Sequence, residues 1–381
     1  MKIIVCPDSF KGSLSAVEAA DAIVKGILFA KKSQTKFQKI NIAKIPLADG
    51  GEGTTIALVN ATKGKTIKVK VLDPLLREIT SFYGISGDGK TAIMEMAAAS
   101  GLPLLKESEH NPLITSTYGT GQLILAALKT RVKKFVIGIG GSATNDGGAG
   151  AMSALGARFL DRNGRELPPG GAALARLARI DMSGFKYPAD NIKIEVACDI
   201  NNPLCGRLGA SAVYGPQKEA TPAMVKELDA ALKNYAGVVK KDLGKDIAGK
   251  PGTGAAGGLG FALAAFLNAR LRSGIDMVLD AADFEKNIAD ADLIITGEGR
   301  IDKQTAYGKT IGGVIKRAGK YHVPVIALAG SYKGSLAALK KTGLTEVFSI
   351  LNNSMTLEYA MQHAYELLVQ LAEKVSESKF A

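Results

Sequence analysis

The sequence predicts an α/β fold: a Rossmann-like parallel-sheet domain built from both chain ends, plus an inserted α/β domain. Three observations point to it. Short apolar runs of buried-strand character are each followed by a loop carrying glycine and acid, and then by a helical stretch. That texture fills the first 65 residues, gives way to an alternating pattern, and returns after about residue 285. The composition is that of a globular protein, with 46% hydrophobic, 22% charged and 6% aromatic residues in a chain of 381. Disordered, collagen-like and disulfide-dense classes are thereby excluded.

Taken in order, residues 3–6 (Ile-Ile-Val-Cys) form a buried-strand run that Pro7 stops. Ser15-Ala16-Val17-Glu18 is a capping box. Behind it Val17, Ala20, Val24, Ile27 and Leu28 recur at helical spacing, predicting a helix to about Lys32. Residues 40–47 read as a second strand, and residues 54–60 as a helix after Asp49-Gly50-Gly51-Glu52-Gly53. Strand, loop, helix, repeated, is the opening of a doubly wound sheet. Alternation over 66–72, a turn at Asp73-Pro74 and a return at 81–84 predict an antiparallel pair. Residues 135–139 read as a buried strand entering a glycine-dense loop, 138–150, and residues 192–197 as a strand leading to Asp199. Residues 252–260 open an alanine-rich helix over 261–271. Strands follow at 293–296, 323–328 and 347–350, with a loop at 297–308, a helix at 311–319 and a closing helix at 357–378. The predicted domains are therefore 1–65 with 286–381, and 66–285, and two crossovers between them would leave a cleft for the active site.

Glycine, 44 of 381 residues, runs well above the ~7% background, and it clusters beside apolar runs. Lys and Arg outnumber Asp and Glu by 48 to 36, a net charge of +12 spread along the chain. Without Trp or a basic cluster interleaved with aromatics, no nucleic-acid partner is indicated, while the field suits an anionic substrate. Cys6, Cys198, Cys205, His110, His322 and His363 supply neither a disulfide framework nor zinc-ligand spacing. The opening Met-Lys-Ile-Ile-Val-Cys-Pro-Asp does not read as a signal peptide. No apolar run approaches the ~18 residues of a membrane span. The expectation is a cytoplasmic protein with no membrane partner, and a homodimer stays open.

Four loops combine glycine with charge at strand ends: Asp8-Ser9-Phe10-Lys11-Gly12-Ser13, Asp49 to Gly53, residues 140–148, and Gly297-Glu298-Gly299-Arg300-Ile301-Asp302. The carboxyl ends of strands line the ligand crevice of an open α/β sheet. Glycine there lets backbone N–H groups approach an anion. Acids in the same loops suit a phosphate that arrives with magnesium. Glycine, cation and acid together are the parts of phosphoryl transfer. Other motifs fail: Gly308-Lys309-Thr310 lacks the upstream glycine of a P-loop, and no G-x-S-x-G elbow exists. The rival is Gly138-Ile139-Gly140-Gly141-Ser142-Ala143, a G-x-G-x-x-A match with Asp161 about 20 residues on, which would make an NAD-dependent dehydrogenase.

Together, the loops resemble the bacterial glycerate kinases of the type-1 family. Cys6 to Ser15 resembles its N-terminal signature and Leu47 to Thr54 its second motif. Further matches are residues 138–148, 197–206 (ACDINNPLCG), 212–217 (AVYGPQ), 254–260 (GAAGGLG) and 292–309 (DLIITGEGRIDKQTAYGK), so the resemblance spans essentially the whole chain. The departures are Cys6 where alanine is common and Glu219 where glycine is common. The resemblance implies ATP- and Mg2+-dependent phosphorylation of D-glycerate, mostly to 2-phosphoglycerate, with 3-phosphoglycerate the alternative product. A catalytically dead metabolite sensor on the same fold is the third class, and the filled charged positions of the motifs argue against it.

The roles expected from this chemistry are as follows. Gly140, Gly141, Ser142, Thr144, Asn145 and Asp146 cradle the ATP phosphates. Lys11, as a catalytic cation, and Arg300 meet the transferring phosphate or the substrate carboxylate. Asp199 is the general base. Asp8, Asp49, Glu52, Glu298 and Asp302 share metal ligation and substrate contacts. Glu298 and Asp302 are assigned to the metal and Asp8, Asp49 and Glu52, with Ser9, to the substrate, while the division among the acids stays open. Asn202 touches the substrate or orients the Asp199 loop.

Overall fold

A computed structural model describes residues 1–33, 40–48, 50–51, 53–187, 192–301, 310–333, 343–352 and 355–380. The chain is mixed α/β and falls into two compact units, Met1–Asp49 with Ile275–Ala381, and Gly50–Gly274.

The first unit opens with β1 (Lys2–Pro7), whose Ile3, Ile4, Val5 and Cys6 are wholly buried, as a parallel strand covered on both faces requires. Ser15 and Glu18 close the capping box: Ser15 N donates to the Glu18 carboxylate at 2.8 Å and Glu18 N to Ser15 Oγ at 3.2 Å. The amphipathic α1 (Ala16–Ser33) follows, then β2 (Asn41–Lys44), shorter than the predicted 40–47.

The second unit starts at α2 (Thr54–Ala61), whose entry is fixed by Glu95: Gly53 N and Thr55 N donate to its two carboxylate oxygens at 3.1 and 2.6 Å. That tie joins α2 to the strands of the second unit. β3 (Lys65–Leu72) and β4 (Glu78–Ile85) form the antiparallel pair, Leu72 opposite Glu78. Then come β5 (Thr91–Glu95), α3 (Ala97–Ser100), α4 (Tyr118–Leu128), β6 (Lys134–Gly138) and α5 (Ala149–Ala154). β7 (Arg158–Leu160) pairs with β8 (Arg179–Asp181), in a ribbon separate from the six-stranded sheet. β9 (Lys193–Ala197), α6 (Ala210–Tyr214), α7 (Pro222–Leu243), α8 (Ala255–Leu267) and β10 (Arg270–Arg272) complete the unit. The helix expected over 261–271 stops at Leu267 because Asn268 turns left-handed (φ +52°), freeing Arg270–Arg272 to pair with β9.

The sheet order is β10-β9-β6-β5-β4-β3, with β5, β6, β9 and β10 parallel. Register aligns their carboxyl ends in a row: Glu95 opposite Gly138, Gly138 opposite Ala197, Ala197 opposite Arg272. A core that includes Phe135, Tyr235, Phe261 and Phe266 fills the unit.

The chain returns to the first unit through α9 (Gly274–Ala281), α10 (Phe284–Ile288), β11 (Leu293–Ile301), α11 (Thr310–Ala318), β12 (Val325–Tyr332) and β13 (Leu344–Ser349). β11 runs on through the predicted loop start at Gly297, pairing with β12 as far as Ile301 opposite Tyr332. The predicted closing helix is two helices, α12 (Leu357–Gln362) and α13 (Ala364–Phe380), broken at His363. The five strands are all parallel in the order β13-β12-β11-β1-β2. From β1 the chain moves to one side for β2 and to the other for β11, so the strand order reverses between β1 and β11. In open sheets of this kind, that reversal is where ligands bind. Among the described residues no helix is long and apolar enough to cross a membrane.

Candidate active site

In the first unit Pro7 lies opposite Gly297, so Asp8, just past β1, stands level with Glu298, which is still within β11. The segment after β1 folds back at once: Phe10 N donates to Leu14 O at 2.8 Å and Leu14 N to Phe10 O at 2.9 Å. Asp8 accepts from Ser9 N at 2.6 Å and from the hydroxyl of Thr310, first residue of α11, at 2.5 Å. A pocket of about 380 Å³ opens here. One wall is polar, with Asp8, Ser9, Lys11, Glu298, Arg300 and Thr310; Ile350, Leu357, Ala360, Met361 and Ala364 make an apolar wall opposite in character. Lys11 and Arg300 are exposed. Two carboxylates beside two cations are a donor set of hard oxygens with charge balance. They suit magnesium, which commonly takes one or two protein carboxylates and completes its shell with phosphate and water.

In the second unit the strand-end row carries the other expected residues. Gly50 and Gly51 cross it so closely that a Cβ on Gly138 would lie 2.6 Å from Gly50 O, and one on Gly50 2.5 Å from the Ala197 side chain. Asp199, two residues beyond β9, is exposed and accepts from Gly274 N at 3.0 Å. Asn202 uses both ends of its amide, donating to Leu208 O in its own loop and accepting from Tyr214 Oη of α6, each at 2.8 Å. It braces the Asp199 segment.

The glycine-dense loop behaves differently from expectation. Gly141 is exposed and Gly140 half-exposed, but Ser142, Thr144, Asn145 and Asp146 are buried. The Asp146 carboxylate accepts from Thr117 N and Oγ1, Gly148 N and Gly150 N at 2.8 to 3.2 Å. Burial pushes its pKa up while those hydrogen bonds pull it down. Asn145 Nδ2 donates to Ser211 Oγ at 2.9 Å. These four side chains are thus buried in the unit, and Ser142, Asn145 and Asp146 are held there by Lys218, Ser211 and Thr117. Much of the glycine is explained by backbone packing: a Cβ on Gly257, at φ +64°, would sit 2.0 Å from Thr144 O. The GAAGGLG segment is a floor for the loop.

Beneath that loop lies a residue the sequence reading passed over. Lys218 is 1% exposed, and its ammonium donates to Ser142 Oγ at 2.8 Å and Thr144 O at 2.6 Å. Burial pushes its pKa down to about 7, with the Asp146 charge acting against the shift. Glu95 was missed too, although a lone acid ending an apolar strand was a signal. Thr310 and the α12 wall carried no local signal, since only the fold brings them to the β1 loop. Asp49, Glu52 and Asp302 lie outside the described residues.

The dinucleotide reading fails on geometry. Asp161 follows β7, which is outside the parallel sheet, and its carboxylate accepts from Asn163 N and Arg165 N in a local turn. The helix after the loop starts only at Ala149, too late to place its N-terminus on a pyrophosphate bound at Gly138 to Ala143.

Comparison with known proteins agrees with phosphoryl chemistry. The profile of the glycerate kinase family matches residues 3–378. A glycerate kinase of Bacillus subtilis is 51% identical over 378 residues, covering 99% of this chain and 97% of that protein. A glycerate 2-kinase of Escherichia coli is 48% identical over 376 residues, with 99% and 97% covered. A crystal structure from Salmonella typhimurium LT2, of a chain described as glycerate kinase 2, superposes with a TM-score of 0.89 at 48% identity, covering 99% of this chain and 98% of that one.

Proposed function

The chain belongs to the glycerate kinase family, and on that premise we propose that it transfers the γ-phosphoryl group of ATP to the 2-hydroxyl of D-glycerate. The observation that carries the proposal is the pocket at the strand-order reversal, where Asp8, Lys11, Glu298 and Arg300 converge in one unit. Glycerate kinase activity follows from the family; the 2-phosphate product, magnesium and the residue roles are the proposal.

Phosphoryl transfer asks the protein mainly for positioning and charge neutralisation. Lys11 and Arg300 neutralise the phosphates. Arg300, with its planar fork, also suits a carboxylate bidentately. Asp8 and Glu298 would hold Mg2+, which when bound neutralises and orients the phosphate oxygens. Asp8 is steadied for this by Thr310. In the second unit Gly140 and Gly141 offer bare backbone, and Asp199 takes the proton of the attacking hydroxyl. Its hydrogen bond from Gly274 N helps to hold the carboxylate in place.

The test is ADP release by the purified protein with Mg-ATP, with and without D-glycerate, the product then being offered to enolase, which accepts only the 2-phosphate. Glycerate-dependent ADP with enolase turnover is expected. ADP without enolase turnover moves the phosphate to the 3-hydroxyl, and no glycerate-dependent ADP overturns the substrate assignment.

A further inference from the structure

We infer that the pocket between the ends of β1 and β11 seats the nucleotide, its base against Ile350, Leu357, Ala360 and Met361 and its phosphates toward Lys11 and Arg300. Glycerate must then bind elsewhere. The inference rests on the kinase reading and adds to it which substrate this pocket takes.

Size comes first. At about 380 Å³ the pocket falls in the range of roughly 300–1,000 Å³ that serves ligands the size of a nucleoside or larger. A three-carbon acid would leave most of it to water. The second point is the pocket's two-sided character. Every atom face of glycerate is a carboxylate, a hydroxyl or a carbon beside one, so an apolar wall gives it nothing. A nucleotide carries a flat, weakly hydrated base at one end and its charge at the other, matching a cavity whose apolar and cationic walls are separate. Third, the apolar wall is built for a partner. Leu357, Ala360, Met361 and Ala364 recur at helical spacing across α12 and the start of α13, and all line the pocket. Leu357 is 59% and Met361 39% exposed. A surface helix ordinarily turns such a stripe inward. Here it faces a cavity, and a thioether beside an aromatic ring is a favourable contact. Gly12, at φ +80°, lets the β1 loop pass close beside this wall, since a Cβ there would lie 3.0 Å from Met361 Cε.

The experiment compares wild type with Met361→Glu and Leu357→Glu, both at exposed positions where the fold tolerates charge. The probes are a fluorescent methylanthraniloyl-ADP titrated directly, inorganic tripolyphosphate as its competitor, and steady-state KM for ATP and D-glycerate. Each variant is expected to weaken methylanthraniloyl-ADP binding and raise the ATP KM at least tenfold. The tripolyphosphate competition constant and the glycerate KM should stay within twofold. Lys11→Ala, in contrast, should weaken nucleotide and tripolyphosphate together. A raised glycerate KM with unchanged ATP KM would overturn the inference and give the pocket to the acid, and no change in either substrate would leave the pocket without a ligand and overturn it as well. Failure of the kinase reading is separate: wild type itself would then release no glycerate-dependent ADP.

Discussion

Lys218→Met is a perturbation whose sign depends on pH. In the native protein the ammonium is buried against Ser142 Oγ and Thr144 O, and its pKa is pushed from 10.5 down to about 7. An unfolded chain holds the proton up to about pH 10.5, whereas the folded chain releases it above about pH 7. Across that window the unfolded state binds more protons, so wild-type stability rises with pH, by at most ~1.4 kcal/mol per pH unit. Below about pH 7 both states are protonated and this dependence vanishes. Methionine fills the volume but cannot titrate. It also leaves two buried acceptors without a donor, at ~1–3 kcal/mol each, while removing the burial penalty of the amine. The absolute change at neutral pH is therefore a small difference of opposed effects, but the pH slope is not. Urea unfolding followed by circular dichroism, at about pH 7.5 and about pH 9.5, should show wild type gaining up to ~2–3 kcal/mol on the variant. Raised thiol and phenol pKa values at Cys198, Cys205 and Tyr235 are common to both proteins and cancel. An identical difference at both pH values would mean that the amine keeps its proton, and the burial argument would fall.

Three further outcomes are expected. Asp199→Asn should lower kcat by ~10²–10⁴-fold, the range of a positioned base, while methylanthraniloyl-ADP binding stays within twofold; unchanged turnover would remove Asp199 from the chemistry. Arg317→Met should destabilise the first unit by ~1–3 kcal/mol in urea unfolding, below the figure for a fully buried pair. Arg317 is 8% exposed and bonded to Asp276, Asp280 and Glu285, carboxylates that are themselves partly solvated; a loss under ~0.5 kcal/mol would make the cluster a surface ornament. Glu219→Gly should raise stability by ~0.5–1 kcal/mol, because Glu219 sits left-handed at φ +63° and the strain relieved exceeds the entropy glycine adds to the unfolded chain. A lowered midpoint would mean that Glu219 makes a contact worth more than its strain.

The parallel strands, α1 with its capping box and the antiparallel pair of β3 and β4 were legible because each is written locally, in a run of buried β-branched residues or in Ser15 and Glu18. What sequence could not resolve was the meaning of glycine. A run such as residues 138–150 reads equally as a ligand cradle or as backbone packed on backbone, since both require a missing Cβ. Only the approach of Gly257 to Thr144 O, and of Gly138 to Gly50 O, separates the two. The same holds for Ser142 and Asp146: polar residues in a glycine loop suggest a ligand until Lys218 and Thr117, distant in sequence, are seen to occupy them. The Glu219 departure is the reverse case. There the resemblance implied a glycine, and Glu219 is found in a left-handed position that this chain fills at a cost.

The discontinuous first unit has a chemical consequence. A strand-order reversal needs one strand whose neighbours depart to opposite sides, and here the two strands at the reversal, β1 and β11, come from residues 2–7 and 293–301. Asp8 and Lys11 are supplied by one chain end, Glu298 and Arg300 by the other, and the apolar wall by the last helices. No fragment of the chain assembles this pocket, so its charged wall exists only once Ile3, Ile4 and Val5 have paired with Leu293, Ile294 and Ile295. The second unit follows the opposite plan. Its strands β3 to β6, β9 and β10 lie in chain order without a reversal, and the topology alone provides no crevice. What it offers at its strand ends is placed by hydrogen bonds instead: Glu95 on the entry to α2, Gly274 on Asp199, Lys218 under the glycine loop. Substitutions in the first unit's strands should therefore act on ligand binding through the sheet. In the second unit the sensitive positions are the buried polar side chains that fix the loops.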